Sequence, residues 1–299
     1  MSGKKVVVVF GATGAQGGSV AAALLKDGTF AIRAVTRDSS KPASLKLKEA
    51  GAEVVSADLD DEKSLEVALG GAYGAFVVTN AFEGAKKDKE VLQGKLVADL
   101  CKRLNLELVI YSGLENVKKI TGGKLEVPHF DSKGEVEEYF RQIDCPMTSV
   151  RLAFYYENLL HAFKPKRSQD GRVFLLGLPM GDVPLDGIAV ADLGPVVVSI
   201  LKSPACYKGK NIGLSAGKLL VEEYAEIMSK ITKEIVKDAK ILPADYEAQG
   251  GAHNMANMFR FYMMRPDRDV QLTRKLNPKV RSFQQWMEEN EEAFRSGCQ

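Results

Sequence analysis

Five apolar residues, Val6-Val7-Val8-Val9-Phe10, run straight into Gly11-Ala12-Thr13-Gly14-Ala15-Gln16-Gly17, and helical spacing begins at once over residues 15–26. A β-branched run of this length reads as a buried strand. A strand, a glycine-rich heptapeptide and a helix in direct succession leave few folds open. Gly11 permits the tight turn, Gly14 lets backbone approach a pyrophosphate, and Gly17 lets the helix pack closely on the strand. The helix N-terminus then offers N–H donors and positive potential to an anion. The alternative is a structural turn without a ligand. It leaves unexplained three glycines that each cost about 0.5–1 kcal/mol inside regular structure.

The rest of the first half keeps the same rhythm. Strand-like runs at 32–36, 54–57, 75–78, 108–111 and 147–152 alternate with amphipathic stretches at 42–50, 62–69, 83–104 and 129–142. This predicts an α/β fold, a Rossmann-type doubly wound parallel sheet over residues 1–153, with ligands at the carboxyl ends of the strands. After Leu152 the alternation stops. Residues 173–190 are rich in Gly and Pro, Asp192 stands where it would cap a helix over 193–201, and 211–215 reads as a strand. Helices are predicted over 221–231, 254–264 and 282–294. The expectation for residues 154–299 is a smaller, mainly helical domain that lends one or two strands to the main sheet.

Composition narrows the function classes. With 299 residues, 45% hydrophobic and 27% charged, the chain has ordinary globular content. A formal charge of +2 argues against nucleic acid as the main partner. No apolar run reaches 18 residues, and the N-terminus lacks the pattern of a signal peptide, so no membrane association is expected. Cys101, Cys145, Cys206 and Cys298 form no CxxC pair and read as reduced thiols of an intracellular protein. The expected location is the cytoplasm, with the nucleus as a second compartment. His161 and His253 have no metal-ligand spacing, so no metal is expected.

The second strand ends in Thr36-Arg37-Asp38-Ser39-Ser40-Lys41. An NAD site usually places a carboxylate there for the ribose 2′-hydroxyl. Arg37 occupies that place, and a guanidinium can clamp a 2′-phosphate with two parallel bonds. Lys41 and Ser39 would add to the site, which makes NADP(H) the expected cofactor. Asp38 next door keeps NAD open, and an exposed arginine at a strand end is the plain alternative. Asp58 and Leu59 come after the third strand and could meet the adenine, or Asp58 could serve a helix cap. Thr79-Asn80-Ala81 comes after the fourth strand and should line the cleft. Tyr155-Tyr156-Glu157-Asn158 could close over the nicotinamide, or form an aromatic patch between domains.

These residues resemble the NmrA-like group of atypical short-chain dehydrogenases. The glycine heptapeptide and Arg37 carry the resemblance, as do Thr79-Asn80, Tyr111-Ser112-Gly113-Leu114-Glu115-Asn116, His129-Phe130-Asp131-Ser132-Lys133-Gly134 and Tyr155-Tyr156-Glu157-Asn158. It runs nearly end to end and is strongest toward animal members. It implies NADP(H) binding and a redox-sensing role exerted through regulatory protein partners, with a homodimer as a further expectation. Active short-chain dehydrogenases place a Tyr-x-x-x-Lys pair on one helical face. The lysine holds the nicotinamide ribose and the tyrosine transfers a proton. Here the pair reads His129-x-x-x-Lys133, and Ser112 matches the serine that polarises a substrate carbonyl. The lysine is expected at the ribose, unless it is simply a solvated member of the charged run 133–138. His129 is either a replacement acid–base group or an inert histidine. Two functions are open: a sensor without turnover, or an NADPH-dependent reductase of a small carbonyl or quinone that uses Lys133 with Ser112 or His129.

Overall fold

A strand of four valines, β1 (Val6–Val9), starts the chain's order, and Val7, Val8 and Val9 have no solvent exposure. A strand apolar at every position is buried on both faces, as parallel sheets require. The computed structural model describes residues 3–80 and 87–296. After β1 come α1 (Ala15–Asp27), β2 (Ala31–Thr36), α2 (Pro42–Glu49), β3 (Glu53–Ser56), α3 (Glu62–Leu69) and β4 (Gly74–Val77). Next are α4 (Lys87–Arg103), β5 (Leu108–Ser112), the short α5 (Val117–Ile120), α6 (Pro128–Gln142) and β6 (Met147–Leu152).

The second half runs β7 (Phe154–Tyr155), β8 (Lys166–Arg167), β9 (Phe174–Leu176), β10 (Leu185–Ile188), α7 (Leu193–Lys202), α8 (Pro204–Tyr207) and β11 (Asn211–Leu214). It continues through β12 (Gly217–Leu219), α9 (Val221–Thr232), β13 (Val236–Asp238), α10 (Pro243–Ala248), α11 (His253–Met263), α12 (Val270–Leu276), α13 (Phe283–Glu289) and α14 (Glu291–Ser296).

The main sheet has seven strands in the order β11-β6-β5-β4-β1-β2-β3. Neighbours from β3 to β6 pair in parallel. The bonds Ser149 N to Lys210 O and Ala153 N to Leu214 O advance together along both chains, so β11 runs the same way. This is the Rossmann-type doubly wound sheet. The chain leaves β1 toward β2 and β3, then returns to the other side of β1 for β4. The switch point lies between β1 and β4, where such sheets open a crevice for ligand.

Two compact units divide the chain. The first holds the described residues up to Ile120 together with Pro128–Arg151 and Ala191–Ile212. The second holds Thr121–Val127, Leu152–Val190 and the described residues from Gly213 onward. The first unit therefore takes back a segment from the half expected to stand apart. The reason is the packing of α7 on α1. A Cβ on Gly194 would lie 2.2 Å from the Ser19 carbonyl oxygen, so only glycine lets the helices meet this closely. Ser19 Oγ accepts from Gly194 N at 2.9 Å and donates to Ala191 O at 2.8 Å. Asp192, expected to cap α7, makes no side-chain capping bond, and Ser19 supplies one instead.

On one face of the main sheet, α3, α4 and α6 bury Leu65, Leu69, Val97, Cys101, Val136 and Phe140 against Val8, Val77, Val109 and Met147. Cys145 is also buried and Cys206 is exposed. Cys298 and the expected start of the helix at 83 lie outside the described residues. The second unit adds two three-stranded sheets, β12-β10-β7 and β13-β9-β8. Its aromatic core brings Tyr156 against Tyr224, Phe283 and Trp286. Among the described residues no helix is long and apolar enough to cross a membrane.

Replacing Gly194 by Ala should cost about 1–3 kcal/mol, the usual range for overpacking a filled site. Urea unfolding should show a lowered midpoint with an unchanged slope. A midpoint equal to that of the parent protein would remove this contact as the cause of α7 docking on α1.

Candidate dinucleotide site

The site is built from the loops that leave the strands at the carboxyl edge of the sheet. After β1, Gly11 takes φ +61°, in the region that favours glycine. A Cβ there would meet Val78 Cγ1 at 2.9 Å. A Cβ on Gly17 would lie 2.2 Å from the Gly11 carbonyl oxygen and 2.5 Å from that of Phe10, so a side chain would push α1 off the strand. Gly14 N donates back to Gly11 O at 2.8 Å, closing the turn. Gly14 stands at the N-cap of α1 and supplies no side-chain cap. The leading N–H donors of the helix thus have no side chain of their own to satisfy them. Gly11, Thr13, Gly14 and Ala15 are exposed, while Ala12 and Gly17 are buried. An exposed loop with uncapped donors and no Cβ at the approach fits a pyrophosphate.

After β2, Arg37 and Lys41 are exposed. Asp38 is engaged in its own loop. Its Oδ1 accepts from both the Ser40 hydroxyl and Ser40 N, the latter at 2.9 Å. Those bonds, with the hydroxyl contribution the larger, hold the carboxyl below its ordinary pKa. After β3, Asp58 Oδ1 accepts from Asp60 N at 2.9 Å, a local turn, and Asp61 caps α3. Leu59 is half-buried against the apolar core.

After β4 and β5 the geometry changes from open loop to closed network. Thr79 is buried, and its Oγ1 donates to Glu90 Oε1 at 2.6 Å and lies 3.3 Å from the Tyr111 hydroxyl. Lys133 Nζ donates to Glu90 Oε1 at 2.6 Å, to Thr79 O at 2.8 Å and to Thr79 Oγ1 at 3.1 Å. Ser132 Oγ donates to the other Glu90 oxygen. Lys133 is therefore no solvated surface lysine. Burial pulls its pKa down and the Glu90 charge pushes it back. Burial lifts the Tyr111 hydroxyl well above its ordinary range, with the Glu90 charge adding to it. Ser112 Oγ donates to Gln16 Oε1 at 2.6 Å, which ties the end of β5 to the first turn of α1. Asn80 is exposed. Ala81 lies outside the described residues.

Glu90 escaped sequence reasoning, yet it left a signal. The buried stripe of α4 reads Glu90, Gly94, Val97, Ala98 and Cys101. A carboxylate on an apolar helix stripe needs a buried partner. Gly94 brings the partner near, because a Cβ there would sit 2.4 Å from Val136 Cγ2 on α6.

His129 lies in the first turn of α6, one turn before Lys133, with its ring edge-on to Phe130. Burial, and then the Lys133 charge, bring its pKa down to about 4. At neutral pH it is an uncharged imidazole and lacks the imidazolium proton that a general acid would give. Tyr155, Tyr156, Glu157 and Asn158 belong to the second unit. Tyr156 is spent in that unit's aromatic core, and both Glu157 carboxylate oxygens accept from Val190 N, at 3.1 and 3.2 Å. Asn158 is half-buried, and its carbonyl accepts from His161 N and Phe163 N. Among the described residues no group of His, Cys, Asp or Glu could hold a metal.

A doubly wound sheet with a glycine turn and an uncapped helix at its switch point defines the Rossmann class of protein. Within that class the chain belongs to the NmrA-like family, whose model matches residues 3–286. The NmrA-like family domain-containing protein 1 of Rattus norvegicus is 29% identical over 290 residues, covering 97% of this chain and 98% of the relative. A NmrA-like family domain-containing protein of Dictyostelium discoideum is 30% identical, covering 81% and 82%. The oxidoreductase malD of Malbranchea aurantiaca is 33% identical, covering 78% and 74%. The crystal structure of NmrA, a negative transcriptional regulator, superposes with a TM-score of 0.83 at 24% identity, covering 97% of this chain and 98% of that one. NmrA has also been solved with NAD and with NADP.

The His129 pKa has a consequence for stability. In the unfolded chain the group titrates near 6.5 and in the folded chain near 4. Between those values the unfolded chain holds more protons, so this contribution is present above about pH 6.5 and is lost as the pH falls toward 4. His129→Gln should reduce the loss of stability between pH 7 and pH 4 by roughly 2–3 kcal/mol. Paired urea titrations check this, and equal slopes for the two proteins would contradict it.

Proposed function

We propose that this protein binds NADP(H) and acts as a redox sensor, changing its affinity for regulatory protein partners, or for a second copy of itself, with cofactor state. The phosphates take the Gly11–Gly17 turn and the N-terminus of α1. Arg37 and Lys41 take the 2′-phosphate, Asp58 and Leu59 the adenine, and Asn80, Ala81 and Lys133 the nicotinamide ribose side. The setting is the cytoplasm, with the nucleus second.

One contrast carries the reading: an open, uncapped phosphate turn stands beside chemical groups that are all engaged elsewhere. Ser112 is held by Gln16, Lys133 by Glu90 and Thr79, and the position of the proton donor holds a neutral imidazole. Binding is favoured and proton transfer is not. NmrA, described as a regulator and solved with NADP, supports the same division. A ligand shifts a partner equilibrium only through its different affinity for the two states. The test measures self-association and partner capture with NADPH, with NADP⁺ and with neither. Equal behaviour in all three removes the sensor role.

The second reading is an NADPH-dependent reductase. The fungal relatives named oxidoreductases favour it, as does an NADPH-dependent quinone oxidoreductase of Escherichia coli solved with NADPH. Steady NADPH oxidation against quinones, aldehydes or enones, lost in Lys133→Ala, would establish this reading.

Arg37→Glu should weaken NADPH binding by roughly 1.4–2.7 kcal/mol, about 10- to 100-fold, and leave NADH little changed. Fluorescence titration of both cofactors reads the ratio. A parallel loss for both would place the 2′-phosphate elsewhere.

A further inference from the structure

We propose that Glu90 is the positioning residue for Lys133: it holds the ammonium at the carboxyl end of β4 as a charged donor, and the Thr79 hydroxyl is the partner exchanged when a dinucleotide ribose arrives. This rests on the dinucleotide reading above.

An ammonium has three protons. Those of Lys133 go to Thr79 O, Glu90 Oε1 and Thr79 Oγ1, at 2.8, 2.6 and 3.1 Å. A ribose oxygen can be bound only by releasing one of these. The longest bond, to Thr79 Oγ1, is also the one whose loss leaves nothing unsatisfied. Thr79 Oγ1 keeps its own donation to Glu90 Oε1 and has the Tyr111 hydroxyl 3.3 Å away to donate to it. The bond to Glu90 cannot be the one released, because it joins a buried cation to a carboxylate with 1% side-chain exposure. Separating such a pair leaves an uncompensated charge out of water. Glu90 is itself fixed from three sides. Both its oxygens are occupied, Oε1 by Lys133 and Thr79 and Oε2 by Ser132.

Among the described residues, Glu90 on α4 bonds Lys133 and His129 on α6 feels the Lys133 charge, while Tyr111 on β5 feels the Glu90 charge and Glu137 on α6 acts on Tyr111. Burial drives Lys133 toward the neutral amine, and only Glu90 opposes it among the causes of its shift. A neutral amine would be a far weaker partner for a ribose oxygen next to phosphates.

The experiment is NADPH titration of the full chain between pH 7.5 and 10.5, on the parent protein, E90Q, E90D and the pair E90Q/K133M. In the parent, affinity should fall only at the alkaline end. In E90Q the midpoint of that fall should drop by at least about one unit, so that between the two midpoints E90Q binds roughly tenfold more weakly. E90D keeps the charge and should restore the midpoint, even with a lower melting temperature. E90Q/K133M should show no such titration. An E90Q profile that matches the parent overturns the proposal, and so does E90Q/K133M retaining the shifted E90Q profile. If E90Q does not fold, the neutral pair is compared with K133M alone. Without the ammonium Glu90 has nothing to position, so the two should agree within about twofold; a further tenfold loss overturns the proposal. A parent protein that shows no saturable NADPH binding overturns the dinucleotide reading itself, and this assignment with it.

Discussion

The contact of Gly17 with the carbonyl of Gly11 is the constraint on which the rest of this structure depends. It fixes how steeply α1 leaves β1, and so where the uncapped helix start stands over the sheet. Everything at the carboxyl edge is referred to that position. Gln16, one residue before the contact, reaches Ser112 at the end of β5. Ser19, two residues after it, holds the start of α7. A side chain at position 17 would therefore disturb the phosphate turn, the link across the switch point and the helix packing on that side together.

A second constraint acts on the opposite face. There α4 and α6 approach closely enough for Gly94 to lie against Val136, and the approach buries a lysine and a glutamate together. Buried ions are stable only when paired and hydrogen-bonded. The Thr79, Ser132 and Tyr111 hydroxyls complete the set. The same burial sets the charge of His129. An imidazole half-buried beside an ammonium stays neutral, which separates this site from one that holds an acidic phenol.

Much of the first half was legible from the chain itself. The strands at 108–111 and 147–152 appear as Leu108–Ser112 and Met147–Leu152, and the helix predicted at 42–50 as Pro42–Glu49. Long apolar runs and glycine punctuation are local signals, and a parallel sheet buried on both faces makes them strong. The second half was less legible. Strands β7 to β10, β12 and β13 are only two to four residues long, too short for a period of two to show. The Gly- and Pro-rich stretch 173–190 holds two of them, β9 and β10. At the carboxyl edge, the glycine turn could be read directly. Glu90 could not, because its partner is 43 positions away in sequence. Tyr156 carries a family motif, and only its neighbours reveal that its ring belongs to an aromatic core.

The sequence by itself determined the Rossmann-type sheet and the glycine turn, because both rest on residues adjacent along the chain. It also determined that a histidine stands where a tyrosine would act. Tertiary structure alone decided what that histidine and its lysine can do. Their charges depend on burial and on the Glu90 carboxylate, and these are properties of elements brought together from distant parts of the chain. Segment 191–212 joins the first unit for the same reason. Its place is set by a glycine that fits against another helix, which no local pattern records.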